Sequence, residues 1–86
     1  MPVAIVTGSS SGIGRGTALV FAKHGWQVSL SGRNEAALKE VVKECSAVSK
    51  KDAKNFTYTI GDVSDASVLE SLVKNTLDKF GRIDSL

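Results

Sequence analysis

Residues 3–14 read VAIVTGSSSGIG, and this stretch decides the fold. The four consecutive apolar residues from Val3 to Val6 predict a strand that is buried on both faces, as in a parallel sheet covered by helices. The glycines and serines that follow predict a tight turn, and Ile13 opens a helical pattern. A strand, a glycine turn and a helix start in this order are typical of a loop that holds phosphate groups.

Strand and helix patterns alternate along the rest of the chain. The predicted strands are 3–6, 26–31, 56–60 and 83–86. The predicted helices are 13–24, a second that begins after the N-cap Asn34, and a third that runs from the N-cap Ser64 to Gly81, with a polar loop over 46–55. The order βαβαβαβ, with the chain ending inside the fourth strand, predicts an α/β fold of parallel strands joined by right-handed crossovers.

Helical spacing identifies the side chains that we expect in the core. On the first helix the expected buried stripe is Ile13, Thr17, Val20, Phe21 and His24. On the second helix it includes Cys45, which we expect to be a buried structural thiol. Gly16 lies inside the first helix, and we expect it to allow close packing between helix and strand.

The glycine loop has the spacing G-x-x-x-G-x-G, with glycines at 8, 12 and 14. We expect these glycines to let backbone N–H groups approach a phosphate, while the hydroxyls of Ser9, Ser10 and Ser11 donate to its oxygens. The alternative is a plain Gly/Ser turn before a helix. The run from Thr7 to Gly14 resembles the T-G-x-x-x-G-I-G signature of the short-chain dehydrogenases/reductases, and this similarity extends over nearly the whole chain.

The resemblance implies a Rossmann sheet, NAD(H) or NADP(H) as cofactor, and hydride transfer to or from a carbonyl or alcohol carbon. Residues 1–86 would then be the amino-terminal portion of one Rossmann domain. By position, Gly8, Gly12 and Gly14 would shape the pyrophosphate turn, Ser9 and Ser11 would flank the adenosine phosphate side, and the backbone of Ile13 would meet the pyrophosphate.

The end of the second strand bears on cofactor choice. An NAD site usually carries an acidic residue there, whereas this chain reads Leu30-Ser31-Gly32-Arg33-Asn34. A guanidinium suits a phosphate, so Arg33 and the missing carboxylate favour NADP over NAD. The alternative is a solvated arginine beside a helix cap.

Asp62 and Val63 follow the third strand, at the edge of the sheet where ligands of such folds bind. The family resemblance implies that this pair faces the adenine and that the Asp62 carboxylate accepts from its exocyclic amine. The alternative is a loop aspartate near a helix start.

The family's catalytic tyrosine, the lysine four residues after it and the serine have no counterpart here. Tyr58 is the single tyrosine, it lies on a predicted strand, and Asp62 stands where the lysine would be. We therefore expect this chain alone to be inactive, marginally stable and a weak cofactor binder. We predict a truncated family member, which would come from a shortened gene product, an alternative transcript or an incomplete gene model.

Bulk properties exclude other classes. The chain has 86 residues, a net charge of +2 and one cysteine, so neither a nucleic-acid surface nor an internal disulfide is expected. No apolar run is long enough to span a membrane, and no leader precedes Val3, so we expect a cytoplasmic protein. The sequence does not identify the substrate, and a homo-oligomer is expected only of a full-length form.

Three functional hypotheses remain. The leading one is the NADP(H)-binding segment of a short-chain oxidoreductase. The second is a non-catalytic dinucleotide-binding or interaction fragment that pairs with a full-length relative. The third is a product without function that is degraded.

Overall fold

Strands and helices alternate along a computed structural model that describes residues 2–9, 12–50 and 53–84. The strands are β1 (Val3–Val6), β2 (Gln27–Gly32) and β3 (Phe56–Ile60). The helices are α1 (Gly12–Lys23), α2 (Glu35–Ser49) and α3 (Ala66–Phe80), and one turn of 3₁₀ helix covers Ala53–Asn55. The predicted α/β class is confirmed, and it has the form of a partial Rossmann fold.

The three strands form one parallel sheet in the order β1-β2-β3. Val3 lies opposite Gln27, and Val28 lies opposite Phe56, so consecutive strands are neighbours. Because the strands are parallel, the loops that leave them all begin at the same edge of the sheet.

The helices cover both faces of the sheet. Val28 and Leu30 of β2 belong to the buried cluster formed with α1 and α2, which includes Ala18 and Leu38. Ser29, which points to the opposite face of the strand, bonds to Thr76 of α3. Helices α1 and α2 therefore share one face, and α3 covers the other.

The predicted buried face of α1 is wrong. Ile13 and Val20 are 90% and 58% exposed, whereas Ala18 and Ala22 are fully buried. Small side chains let α1 approach its neighbours closely, as the contact of the Cys45 thiol with the carbonyl oxygen of Ala18 illustrates, at 3.9 Å. Ile13 and Val20 consequently face outward, whereas Phe21 of the predicted stripe is partly buried and packs against the core. Cys45 is fully buried, as predicted.

Helix boundaries follow the predicted capping residues in part. The Asn34 side chain accepts from the N–H of Ala37 as predicted, and Gly81 ends α3 with a φ of 78°. The predicted N-cap Ser64 is wrong, because Asp65 caps α3 and accepts from the N–H of Ser67. Helix α2 also runs to Ser49, through the beginning of the predicted loop.

Gly16 does not have the packing role that we predicted for it. A β-carbon added at Gly16 would meet no other atom within 4 Å. The close approach between the helix and the end of β1 is made two residues earlier, at Gly14. Gly16 is thus a tolerated helical glycine on an exposed side of α1.

No fourth strand is found in the described part of the predicted segment, Ile83 and Asp84, and residues 85–86 lie outside it. Asp84 nevertheless lies against the free edge of β1. Its N–H donates to the carbonyl oxygen of Val3, and its carboxylate accepts from the N–H of Val3, both at 2.8 Å. Arg82 donates to the same carboxylate at 2.8 and 2.6 Å. This clamp closes the first position of the β1 edge.

Candidate functional site

A cleft of about 290 Å³ lies at the carboxyl ends of the strands. Its walls come from the loops after β1, β2 and β3, because parallel strands bring these loops to one edge. The lining residues are Gly8, Ser31, Gly32, Arg33, Asn34, Gly61, Asp62 and Val63. Three predicted segments of the site therefore meet in one cavity.

The glycine loop has a backbone that only glycine adopts readily. Gly8 and Gly12 have φ angles of 62° and 61°, in the left-handed region. At Gly14 the φ angle is ordinary and the constraint is space, because an added β-carbon would overlap the carbonyl group of Gly8. The loop thus seats the first turn of α1 directly against the end of β1.

Ser9 ties this loop to the end of β2. Its hydroxyl lies 3.1 Å from the carbonyl oxygens of Val6 and Ser31 and accepts from the N–H of Ser31 at 2.9 Å. Its own N–H donates to the carbonyl oxygen of Ser31 at 2.9 Å. The side chain is fully buried, so its hydroxyl serves the main chain here, in place of the predicted contact with phosphate. Ser10 and Ser11 lie outside the described residues.

The first turn of α1 is open to solvent beside the loop. Ile13 is 90% exposed, and this turn contains no acidic residue. The unpaired N–H groups and the positive end of the helix dipole are therefore not offset by a local carboxylate. These are the electrostatic conditions that an anion requires at a helix start.

Arg33 and Asp62 face each other across the cleft. The Arg33 Nη2 donates to the Asp62 Oδ2 at 2.7 Å, with side chains that are 79% and 44% exposed. Both residues were predicted at this edge, where each was expected to bind a different part of a cofactor. The structure brings them into direct contact with each other.

The second oxygen of Asp62 is held by its own loop. Its Oδ1 accepts from the N–H of Ser64 at 2.9 Å and from the Ser64 hydroxyl at 2.8 Å. These bonds, followed by the charge of Arg33, hold the pKa of the Asp62 carboxyl below its usual range. The carboxylate is thus fixed as an acceptor, and Val63 next to it completes this wall.

Four lining residues were missed by sequence reasoning: Ser31, Gly32, Asn34 and Gly61. Their common signal was position, since each directly ends or follows a parallel strand. Ser31 is fully buried, and its hydroxyl has no hydrogen-bond partner in the described residues. Gly61 has a φ of 141°, and an added β-carbon would lie 2.8 Å from Val68.

Tyr58 lies outside this cleft. It is on β3, and its hydroxyl donates to the Glu35 carboxylate at 3.0 Å. Partial removal from water and the bond to Glu35 raise the pKa of the Tyr58 phenol. The residue connects an edge strand to the start of α2, which agrees with a structural role.

A parallel sheet with helices on both faces, a glycine turn before the first helix and a cleft beyond the strand ends define a dinucleotide-binding class of α/β protein. The sequence profile described as "short chain dehydrogenase" matches residues 2–86. The chain therefore belongs to the short-chain dehydrogenase family, as its glycine signature predicted.

Known relatives match at the level of sequence and of fold. An uncharacterized oxidoreductase of Staphylococcus saprophyticus is 44% identical over 84 residues, which are 98% of this chain and 35% of that protein. Glucose dehydrogenase of Caenorhabditis elegans, in its apo form, is 37% identical with a TM-score of 0.90, over 96% of this chain and 35% of that one.

L-sorbose reductase from Gluconobacter frateurii, solved with NADPH and L-sorbose, is 30% identical with a TM-score of 0.87, over 96% of this chain and 30% of that one. This chain thus spans about a third of the length of these relatives. No described helix is long and apolar enough to cross a membrane.

Proposed function

We propose that the cleft holds the adenosine half of NADP(H), within an oxidoreductase that transfers hydride to or from a carbonyl or alcohol carbon. The observation that carries this proposal is Arg33 on the wall of the cleft, directly after β2, in a segment (residues 30–34) that contains no acidic residue of its own. A guanidinium attracts a 2′-phosphate, and a carboxylate at that point would repel it. NADPH in the related L-sorbose reductase supports the assignment.

The residues present fit such a ligand. Gly8, Gly12 and the first turn of α1 would receive the pyrophosphate, with Ile13 offering its backbone and Gly14 seating the helix. For Ser10 and Ser11 we propose the role that the sequence predicts, which is donation to the phosphate oxygens. We assign Ser9 the task of fixing the loop to β2, because its hydroxyl is buried and bonded.

The other wall would receive the adenine. Asp62 is ionised and fixed by Ser64, so it can accept from the exocyclic amine, while Val63 offers an apolar contact. The nicotinamide of a bound cofactor would supply or accept the hydride. Within these 86 residues we propose cofactor binding and no catalytic step, because the hydroxyl of Tyr58 donates to Glu35 outside the cleft.

Titration of the purified chain with NADPH and NADH, followed by NMR, tests the proposal. We expect millimolar or tighter binding with NADPH preferred, and shifts that cluster at Gly8, Arg33 and Asp62. Arg33→Asp should reverse the preference, because a carboxylate favours a free 2′-hydroxyl. No binding of either nucleotide at millimolar concentration would contradict the assignment.

A second candidate is a non-catalytic dinucleotide-binding fragment that pairs with a full-length relative. The free edge of β1 favours it, because Asp84 covers that edge only at Val3, the first residue of the strand, among the contacts of the described residues. Mixing this chain with a full-length relative would distinguish the two: a stable complex in size-exclusion chromatography supports the fragment hypothesis.

A further inference from the structure

The ion pair between Arg33 and Asp62 joins two groups that the proposed function assigns to different parts of the cofactor. Arg33 is assigned to the 2′-phosphate and Asp62 to the adenine amine. In the structure they neutralise each other, with 2.7 Å between Nη2 and Oδ2. A phosphate that takes Arg33 must separate the pair, and an amine that binds Asp62 must share an oxygen with the guanidinium or displace it.

We propose that this ion pair makes Asp62 a determinant of cofactor choice, acting against dinucleotides that lack a 2′-phosphate. The inference rests on the proposed function. NADP(H) replaces both partners, since its phosphate takes Arg33 while its adenine takes the carboxylate. NAD(H) replaces only one, so the guanidinium gains no new anionic partner and must share Oδ2 with the adenine amine or give it up.

The hydrogen bonds of Asp62 determine which oxygen is contested. Oδ1 already accepts two bonds from Ser64 and belongs to the loop. Oδ2 accepts from Arg33, and it is the oxygen left to receive a ligand donor. An adenine amine and the guanidinium therefore donate to the same atom, and each weakens the bond that the other makes there.

Exposure sets the size of the effect. The Arg33 side chain is 79% exposed and that of Asp62 is 44% exposed, so water screens the pair and it exchanges readily. Pairs of this kind change a binding constant by at most about five-fold. The ion pair thus leaves the cleft accessible and modestly weakens the binding of NAD(H).

Arg33→Gln separates this inference from a simple phosphate-binding role. We expect the variant to bind NADPH at least about ten-fold more weakly and NADH about two- to five-fold more tightly, because Asp62 is released. In the Asp62→Asn background, adding Arg33→Gln should leave NADH affinity unchanged. Lys43→Gln is the matched control, because Lys43 is similarly exposed, at 76%, and is paired with Glu40 outside the cleft.

A measurement without ligand tests the pair itself. The pKa of the Asp62 carboxyl, followed by NMR, should rise in Arg33→Gln and stay unchanged in Lys43→Gln. An unchanged pKa in Arg33→Gln would overturn the inference, as would NADPH binding by the parent chain combined with unchanged NADH affinity in that variant. Failure of the parent chain to bind either nucleotide would defeat the proposed function, and the inference with it.

Discussion

Gly14 touches Gly8 backbone to backbone: a β-carbon on Gly14 would lie 2.7 Å from the carbonyl carbon of Gly8 and 3.0 Å from the carbonyl oxygen of Thr7. Main-chain atoms at the end of a paired strand have little freedom to move away. Of the three loop glycines, Gly14 is therefore required by space, and the other two by their φ angles.

Gly14→Ala should consequently destabilise the chain. We expect the free energy of unfolding, measured in urea, to fall by about 2 kcal/mol, because overpacking against backbone outweighs the better helix propensity of alanine. Gly16→Ala is the control, since the space around Gly16 is open. It should stabilise the chain by up to about 1 kcal/mol. Equal effects of the two substitutions would contradict the assigned contact.

Ser9→Ala should loosen the junction between the loop and β2. The substitution leaves the buried N–H of Ser31 without its acceptor, which costs about 1–3 kcal/mol. Hydrogen exchange of the Ser31 amide should accelerate in the variant. Ser46→Ala is a matched control, because the Ser46 hydroxyl is also buried but has no hydrogen-bond partner in the described residues. A comparable loss in Ser46→Ala would refute this role of Ser9.

Thr76 and Ser29 form the buried polar contact between α3 and the sheet, with 2.7 Å between their hydroxyl oxygens. Thr76→Val should cost about 1–3 kcal/mol in unfolding free energy, because the Ser29 hydroxyl is left buried without its donor. Adding Ser29→Ala removes the orphaned group. The double variant should therefore lose less than the sum of the two single variants, and strict additivity would show that the contact contributes nothing.

The lowered pKa of the Asp84 carboxyl leads us to expect a loss of stability in acid. The Arg82 guanidinium, and then the N–H of Val3, hold the pKa of the Asp84 carboxyl below its usual value. A carboxyl with a lowered pKa in the folded state stabilises that state above its unfolded value of about 3.9, and the stabilisation disappears as pH falls through the lowered value. Stability measured from pH 6 to pH 2 should thus decline.

Asp84→Asn should make that acid decline shallower. Asp65→Asn serves as a comparison, because the Asp65 pKa is also lowered, by the hydroxyl and N–H of Ser67 at a helix cap. Each variant should remove one part of the pH dependence. An identical decline in the parent chain and in Asp84→Asn would show that the clamp on β1 carries no stability.

Local sequence patterns predicted the three helices and the first three strands, because hydrophobic periodicity and capping residues depend on residues that are close in sequence. The wrong prediction of the buried face of α1 has a physical reason. Hydrophobicity ranks Val20 above Ala18, yet the fit of α1 against α2 requires small side chains, so the alanines are buried. The choice of Asp65 over Ser64 as cap was also beyond sequence, since both residues have suitable side chains.

The sequence predicted which residues lie at the candidate site, but it did not predict the contacts between them. Topology placed Gly8, Arg33 and Asp62 at one edge, since each follows a parallel strand. Their pairing was not predictable, because Arg33 and Asp62 are 29 residues apart and their contact depends on side-chain conformation. Ser9 was misjudged for a similar reason, since only the fold shows that its hydroxyl is enclosed by the end of β2.

The strand order β1-β2-β3 has a consequence for biosynthesis. Each strand pairs with the one made just before it, so no pairing within this sheet waits for a later segment. All residues that line the cleft lie between Gly8 and Val63. During synthesis on a ribosome, we therefore expect the cleft to form once β3 and the loop after it have been released. A nascent chain would then offer the proposed cofactor its binding cleft as soon as Val63 has left the ribosome.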